Sequence, residues 1–580
     1  MNLRSAGMEY MNKILDAISG MKALILDEDT TGLVSMVMTQ SEILARDVFL
    51  TERLGADHER MVHLKAVAFV RPTRSNIQKL AAEFKDPRFG EYHLFFSNFL
   101  PGDLLQKLAE ADQHEVVTQV HEFYFDYFVI NRDLFTLNLN SSLQLSRPRS
   151  RWSRAEEVMF QRASSGLLSV LLSLKRKPEI RYAKGSSLAT SFAKEIRAQI
   201  ERQRDAFHFR QGQGCTLIIM DRRDDPVTPL LTQWTYQAMV HELLGMHNNR
   251  VDMSHTPGAK SSNRKELQDI VLTETDEFFA AHMRDNFGDL GVAVKELLQK
   301  YQKQFNTNKS IQTIEDMQTF VESYPEFKKF ATNVSIHVAV MSELARLVDE
   351  HKLLDMSALE QELACASDHT NHLSELRERL QPGSSVSKID AVRLSLLYAL
   401  RYENHSSNQI RSIKSALRTK GVLDTDIALI DAMIGYAGSS QRGGDLFGDK
   451  TYGMLSKSIR SGVRAIKGVS NVYTQHNPLL CEVLDALQKG RLKESSYPIA
   501  MAGGAGKTRE VVVFMLGGTT FEEAAAVAEF NKSNNAGIRV LLGGTSVQNS
   551  KSFLGELARL GAANRGGGGR FGGADALSLV

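Results

Sequence analysis

Cysteine is scarce in this 580-residue chain: only Cys215, Cys365 and Cys481 are present, far apart from one another. Such spacing argues against a disulfide framework, and it lacks the close ligand pairs that a zinc site needs. Apolar runs are short as well, and none approaches the roughly 18 residues that a membrane-spanning helix requires. These scarcities indicate a protein of a reducing compartment, and we expect a cytoplasmic one.

An excess of charge of one sign is also missing, because 70 basic residues face 68 acidic ones and leave a formal net charge of +2. So small a charge creates no overall field that would attract nucleic acid, so partners must be recognised by local surfaces. The N-terminal 20 residues have the spacing of an amphipathic helix and not the pattern of a signal peptide. The length exceeds what one hydrophobic core usually holds, which predicts several domains.

Short apolar runs alternate with helical patterns over the first 130 residues, at 22–26, 64–70, 92–96 and 124–130. Strands separated by helices indicate βαβ units and therefore a parallel sheet covered by helices on both faces. We predict an α/β domain 1 over residues 1–138.

Helical spacing prevails over residues 246–489, and Pro325 is expected to end or kink one of these helices. Glycine and serine are frequent from 438 to 452, which predicts a mobile loop. This central block is predicted to be an all-α domain 3.

Two copies of a strand, Gly-Gly-Thr and a helix follow the helical block, with the glycine pairs at 517–518 and 543–544. The return of an α/β pattern predicts a discontinuous domain 2, formed by residues 139–245 and 490–565 around the inserted helical domain. Tight strand-to-helix turns explain the glycines as well as phosphate binding would. The Gly- and Arg-rich residues 566–580 are predicted to be disordered.

The stretch from Leu217 to Gly245 links the two patterns. Its apolar run has the length of a buried strand and ends in Asp221-Arg222-Arg223-Asp224-Asp225-Pro226. We interpret these charges mainly as mutual ion pairs that fix the turn where domain 2 passes into domain 3.

Two motifs invite an enzymatic reading. Asp27 and Asp29 follow a strand in the Asp-x-Asp-x-Thr pattern of haloacid-dehalogenase-type phosphatases, where one aspartate is a nucleophile and Mg²⁺ assists. Polar residues at the ends of parallel strands are a simpler explanation, and the phosphatase is kept as an alternative. The segment Gly503–Thr508 resembles a phosphate-binding loop, but Met501 stands where the first glycine belongs and a strand follows it instead of a helix. We expect no cofactor and no metal.

Several long segments together resemble the SM (Sec/Munc) family of vesicle-fusion regulators. They are the stretch from Asp221 to Tyr236, DPRFGEYHLFFSN from Asp86, GDLFG from Gly444 and NVYTQH from Asn471. The last three resemble the endosomal branch of the family, and the resemblance extends to about residue 560. It implies a non-enzymatic protein whose helical domain 3 forms an arch with domain 1. A generic helical scaffold remains the competing binding-module interpretation.

The resemblance also implies partners and sites. Family members bind syntaxins and SNARE bundles, and they meet Golgi and endosomal membranes through these partners; a Rab effector is a further candidate. A pocket for the N-terminal peptide of a syntaxin would use Leu105 and Val117 as its apolar wall and Glu122 at its edge. A hinge at Pro325, with Val338 as an apolar contact, would template the vesicle SNARE. Leu105 and Val117 could equally be ordinary core residues, and Pro325 could merely separate two helices.

Overall fold

The computed structural model describes residues 2–57, 59–209, 214–258, 265, 267–309, 314–443, 446–447, 473–503 and 508–564, with only the main chain at 307–309 and 314–323. The residues form two compact units. Unit 1 comprises 1–221, 486–519 and 527–547, and unit 2 comprises 222–485, 520–526 and 548–580. The predicted loop beyond Phe447, most of the Gly503–Thr508 segment and the predicted tail lie outside the described residues.

The strands of the described residues are β1 (Lys22–Leu26), β2 (Val48–Arg53), β3 (Met61–Val70), β4 (Phe89–Phe96), β5 (Val117–Glu122), β6 (Phe128–Asn131), β7 (Leu134–Thr136), β8 (Glu179–Tyr182), β9 (Gly214–Asp221), β10 (Arg250–Val251), β11 (Ile270–Val271), β12 (Ile499–Met501), β13 (Thr508–Leu516) and β14 (Arg539–Gly544). The α-helices are α1 (Leu3–Asp16), α2 (Glu28–Ser35), α3 (Gln40–Leu44), α4 (Arg74–Lys85), α5 (Gly102–Ala111), α6 (Arg154–Ser173), α7 (Ser187–Arg202), α8 (Tyr236–Met239), α9 (Glu277–His282), α10 (Phe287–Lys309), α11 (Ile314–Glu350), α12 (Leu353–Cys365), α13 (His369–Arg379), α14 (Lys388–Tyr402), α15 (Ile410–Thr419), α16 (Asp424–Ile427), α17 (Leu429–Ala437), α18 (Leu479–Gln488), α19 (Phe521–Ser533) and α20 (Ser550–Asn564).

The first sheet of unit 1 has the strand order β2-β1-β3-β4-β5, and every neighbouring pair is parallel. Strand β1 is buried along its whole length, as its unbroken apolar run predicts. Helix α2 begins directly after it because Asp27 and Thr30 form a reciprocal capping box. Helices α4 and α5 cover one face, where Leu80, Phe84, Leu104 and Leu108 pack on the sheet. The predicted parallel α/β architecture of this region is confirmed.

The second sheet of unit 1 is mixed, in the order β12-β8-β9-β13-β14-β7-β6, with antiparallel strands at its edges. Strands from both ends of the predicted discontinuous domain pair here, since β13 lies beside β9 in parallel. The boundary predicted at residue 138 is too late for the sheets, because β6 and β7 belong to this second sheet. The apolar run at 124–130 resembles one more strand of the first series. Its strand, β6, instead pairs with β7, which in turn pairs with β14 of the second sheet.

The two Gly-Gly-Thr turns bond to each other. Gly517 and Gly518 have φ values of 88° and 93°, which favour glycine. The Gly517 N–H donates to the Thr545 hydroxyl at 3.2 Å, and the Thr519 N–H donates to the Ser546 carbonyl at 2.9 Å. A Cβ on Gly544 would lie 2.8 Å from the Thr519 side chain. These glycines therefore serve close packing of two strand-to-helix turns.

Unit 2 is helical, as predicted, except for the short antiparallel pair of β10 and β11. Helix α14 is buried along almost its whole length, and α12 and α17 pack against it. Among the described residues, no helix is both long and apolar enough to cross a membrane.

Candidate functional site

Helix α5 presents one leucine to solvent beside two that hold it to the sheet. Leu104 and Leu108 are one helical turn apart and buried in the core of the first sheet. Leu105 points away from that face, and its side chain is 44% exposed. The explanation of Leu105 as an ordinary core residue is therefore wrong, and it is available for a partner.

Strand β5 follows α5 in the sequence and forms an edge of the first sheet. It pairs with β4 alone among the described strands. Val117, Val120 and Glu122 are in register with Tyr92, Leu94 and Phe96, and therefore point to the same face of the sheet. Val117 is half-buried against the core, whereas Val120 is 37% exposed. The core explanation therefore fits Val117 in part and Val120 poorly.

Glu122, the last residue of β5, lies next to the N-terminal end of helix α5. Its Oε1 accepts the Leu100 N–H at 2.8 Å, one residue before the N-cap Pro101, and its Oε2 accepts the Tyr124 hydroxyl at 3.3 Å. Burial, together with the Glu122 charge, raises the pKa of Tyr124 to about 12. The carboxylate is thus fixed in position near the first turn of α5, which carries Leu105.

Val117 lies at the opposite end of the helix. The Asp112 carboxylate, at the C-cap of α5, accepts the N–H groups of Val116 and Val117 at 2.9 and 3.0 Å. Seven residues of helix separate Leu105 from Asp112, or about 10 Å. Helix α5 and strand β5 together form a surface that we call the α5–β5 surface. The structure therefore brings Leu105 and Glu122 to one end of this surface, with Val117 at the other end. An extended segment of three or four residues would span this distance.

Val120 and Phe99, the latter 47% exposed at the start of this surface, were not found from the sequence. Strand β5 was missed because its apolar residues, Val117 and Val120, are three apart, a spacing typical of a helix. The register of β5 against β4 shifts after Tyr92, so that Thr118 is an extra residue. This bulge turns Val117 and Val120 to one face.

Pro325, the predicted hinge, lies inside α11 and is exposed. Of the two effects expected of it, an end or a kink, the helix end is wrong, because α11 continues through Pro325 and has 37 residues in total. The part of α11 that directly follows Pro325 packs on α10. The centroid of the Tyr301 ring lies 5.9 Å from that of Phe327, on which it stacks, and 6.3 Å from that of Phe330. Aromatic contacts with α10 thus hold the helix just after the proline.

Val338 lies on the same helix, thirteen residues or about 20 Å farther along, so the structure does not bring it to Pro325. It is half-buried beside His337, which is fully buried. The two ring nitrogens of His337 lie 2.9 Å from the Tyr236 hydroxyl and 3.0 Å from the Asp276 carboxylate. These bonds attach the second half of α11 to α8 and to the cap of α9.

The aspartates of the phosphatase alternative have structural bonds. Asp27 Oδ1 accepts the Thr30 N–H at 2.7 Å, and Oδ2 accepts the Arg71 N–H and the Asn76 amide, each at 2.6 Å. Asp29 is paired with the Arg71 guanidinium. Burial raises the pKa of Asp27, which opposes its use as an ionised nucleophile. Among the described residues no cluster of His, Cys, Asp or Glu is arranged to hold a metal ion.

The charged residues after β9 have distant partners in addition to contacts with each other. Arg222 donates to Glu523 at 2.5 Å and to the Asp225 main-chain carbonyl at 3.0 Å, and it lies 4.0 Å from the Asp225 carboxylate. Asp225 accepts the Thr228 hydroxyl at 2.6 Å and the Leu479 N–H at 3.0 Å. Distant segments thus add partners to the contacts within the cluster, and the interpretation of these charges as mainly mutual ion pairs stays a prediction.

Comparison with known proteins gives matches over nearly the whole chain. The Sec1 family matches residues 22–556. Vacuolar protein sorting-associated protein 45 of Dictyostelium discoideum is 44% identical over 560 residues, covering 96% of this chain and 97% of that protein. The human protein of the same name is 44% identical over 571 residues, covering 97% of each chain.

Solved structures agree with this match. The SM protein Vps45 in complex with the Qa SNARE Tlg2 is 42% identical, with a TM-score of 0.89 and coverage of 98% of this chain and 99% of that one. The Unc18–syntaxin 1 complex of Monosiga brevicollis is 19% identical, with a TM-score of 0.77 and coverage of 97% and 100%, and is similar in fold. The names of these relatives describe sorting and SNARE complexes, and none describes an enzymatic activity.

Proposed function

The chain belongs to the Sec1 family of SM proteins, and from this membership we propose that it binds a syntaxin-type Qa SNARE and promotes assembly of the SNARE complex in endosomal and trans-Golgi transport. The observation that carries the proposal is the match, over 98% of the chain, to Vps45 bound to the Qa SNARE Tlg2. A protein of this kind needs surfaces for SNARE segments and no catalytic centre.

The α5–β5 surface supports binding of the N-terminal peptide of the Qa SNARE. Leu105 and Val120 offer exposed apolar area to one leucine or aromatic anchor, and Glu122 places a carboxylate near them for a basic residue. Strand β5 also has an edge without a neighbour among the described strands, to which an extended peptide can add main-chain hydrogen bonds.

Helix α11 supports the templating of the vesicle SNARE. Its anchored second half, around Val338 and His337, provides a fixed support. The exposed Pro325 lowers the stability of the helix, since its ring removes one main-chain hydrogen bond. A helix weakened at one position can exist in two arrangements, which is what a switch requires.

Location follows from the partners in this proposal. The relatives are named for vacuolar protein sorting, and a Qa SNARE is the membrane-resident component that would bring the protein to Golgi and endosomal membranes. A vesicle SNARE and a Rab effector are the further partners that we propose on the family resemblance alone.

The deciding experiment is a binding measurement with the cytoplasmic region of the Tlg2-type Qa SNARE from the same organism, with and without its first residues. We expect the full-length chain to bind the intact region, and removal of the first residues to weaken binding at least ten-fold. Absence of binding to either form would overturn the proposal. Equal binding to both would restrict it by excluding the peptide site.

A further inference from the structure

At the β12 edge of the second sheet, the segment before β12 lies across the end of β8. The Lys184 N–H donates to the Ser496 carbonyl at 3.0 Å, and Arg181 Nη1 donates to the Leu492 carbonyl at 3.4 Å. These bonds place two basic segments of unit 1 side by side, although Arg181 and Leu492 are 311 positions apart in the sequence. We call the set Arg181, Lys184, Lys489, Arg491 and Lys493 the basic ridge.

The basic ridge is strongly positive in a chain that is nearly neutral. Residues 181–184 and 489–496 contain five basic side chains and one acidic one, Glu494, whereas the whole chain has a net charge of +2. Arg181 is paired with Glu179 at 2.6 Å. Lys184, Arg491 and Lys493 are exposed. Within the part of the chain that the structure describes, their side chains have no ion pair, unlike that of Arg181.

The basic side chains on a second surface differ from those of the basic ridge because they have ion-pair partners. On helix α15 of unit 2, Lys414 lies 2.5 Å from Asp431 and Arg418 lies 2.7 Å from Asp424. Those charges are neutralised by carboxylates of the same unit. The three unpaired cations of the basic ridge are therefore left for an external anionic partner.

The exposed, projecting shape of the basic ridge indicates what kind of anionic partner it can bind. From Gln488 to Ser496 the residues are exposed at every position except Leu492, so the segment projects as a ridge and cannot enclose a small anion. Ile499, at the end of this segment, is 39% exposed and adds an apolar side chain beside the charges. Long basic side chains around an exposed aliphatic residue are suited to the surface of an anionic bilayer.

We propose that the basic ridge binds directly to the anionic surface of a membrane. This inference goes beyond the proposed function, in which the membrane is reached only through a SNARE, and it does not depend on SNARE binding. Each basic residue near an anionic leaflet strengthens binding about five-fold, so loss of three charges should weaken it by about 100-fold.

The test uses the full-length chain and vesicles of phosphatidylcholine alone or with 20% phosphatidylserine and 10% phosphatidylinositol phosphate, without any SNARE. The variant is Lys184→Gln/Arg491→Gln/Lys493→Gln. The matched control is Arg74→Gln/Lys79→Gln/Lys85→Gln, which removes one arginine and two lysines exposed on α4. Thermal unfolding of both variants verifies that they are folded.

We expect the wild-type chain and the α4 control to sediment with anionic vesicles at 50 mM salt and not with neutral ones, and the ridge variant to lose about 100-fold in partition coefficient. Release at 500 mM salt would agree with an electrostatic contact. The proposal is overturned if the wild type does not bind anionic vesicles, which would leave an acidic protein as the partner of the ridge. It is equally overturned if both triple variants lose binding to the same extent.

Discussion

Arg222 and Glu523 form an ion pair with 2.5 Å between Nη2 and Oε2, and neither side chain is exposed to solvent. Arg222 directly follows β9 and Glu523 lies in the first turn of α19, and the two residues are 301 positions apart in the sequence. Thr520 donates its N–H to the same Glu523 oxygen at 2.8 Å, so the carboxylate also caps α19. This pair connects the two parts of the chain that surround the helical insertion.

Loss of one member of the pair should be far more damaging than loss of both. Arg222→Met leaves Glu523 as a buried carboxylate without its counter-ion, which costs about 3–5 kcal/mol of unfolding free energy. Glu523→Gln should cost somewhat less, because the amide still accepts from Thr520. Urea unfolding followed by circular dichroism measures both.

The double variant Arg222→Met/Glu523→Leu is the control for this prediction. Because hydrophobic replacement of a whole buried pair is often neutral, we expect it to recover most of the lost stability. A double variant no more stable than Arg222→Met alone would contradict the idea that the uncompensated charge is what destabilises Arg222→Met.

Sequence patterns predicted the fold well where burial and chain order decide it. The run Lys22–Leu26 is a strand with the predicted bounds, and both Gly-Gly-Thr turns join a strand to a helix. Sequence patterns failed to predict contacts between residues that are distant in the sequence. Arg222 has close acidic neighbours in the sequence, yet the carboxylate of Glu523 lies nearer to it at 2.5 Å than that of Asp225 at 4.0 Å, and no local signal identifies Glu523.

In the candidate site, too, some features could be predicted from the sequence and others are determined by tertiary contacts. Leu105 and Glu122 were placed at the α5–β5 surface by family resemblance, and their exposure and hydrogen bonds required the structure. Helix α11 is continuous through Pro325, although a proline usually predicts a helix end, because the second half of the helix is held by packing on α10 and by His337. Tertiary contacts outweigh local propensity there.

Leu105→Arg should abolish binding of the Qa SNARE peptide without unfolding the protein. The side chain is 44% exposed, so an arginine is accommodated in solvent, but it places a cation where an apolar anchor and a basic peptide residue would lie. We expect at least a 30-fold loss in peptide affinity, about 2 kcal/mol, measured by isothermal titration calorimetry.

A matched control is available for this substitution. Leu354→Arg changes a leucine that is 42% exposed at the start of α12, in the other unit. It should leave peptide affinity unchanged. Unaltered peptide binding by a folded Leu105→Arg protein would remove Leu105 from the pocket.

Acid should destabilise unit 2 through His241. Burial lowers the pKa of this histidine from 6.5 to about 4, and its ring packs edge-on against Phe521 at 5.1 Å. The folded state therefore binds the proton less readily than the unfolded state, so the contribution of His241 is complete above pH 6.5 and is lost as the pH falls towards 4. Between pH 7.5 and 5.5 the loss should be about 1.3 kcal/mol.

Urea unfolding of the wild type and of His241→Phe at these two pH values measures this loss. Phenylalanine preserves an aromatic ring against Phe521 and cannot be protonated, so the variant should be less sensitive to acid by about that amount. Histidines that do not interact with His241 contribute equally to both proteins and cancel in the comparison. The same pH dependence in both proteins would show that another group is responsible.

Pro325→Ala should strengthen vesicle-SNARE binding. A proline inside a helix costs about 3 kcal/mol relative to alanine, because its ring removes one hydrogen bond and clashes with the preceding turn. Pro325 is exposed, so alanine creates no cavity, and the free energy gained should favour the continuous form of α11 seen here. If that form is the one that templates the vesicle SNARE, affinity should rise several-fold, up to the limit set by the population of the continuous helix.

Titration of a labelled vesicle SNARE with the variant, the wild type and Pro382→Ala provides the measurement. Pro382 is an exposed proline after α13, outside any helix, and its replacement should change nothing. Helical content by circular dichroism should rise in Pro325→Ala only if α11 of the wild type spends part of its time broken at the proline. Equal SNARE binding by all three proteins, together with equal helical content, would show that Pro325 is not a hinge and that α11 is already fully continuous.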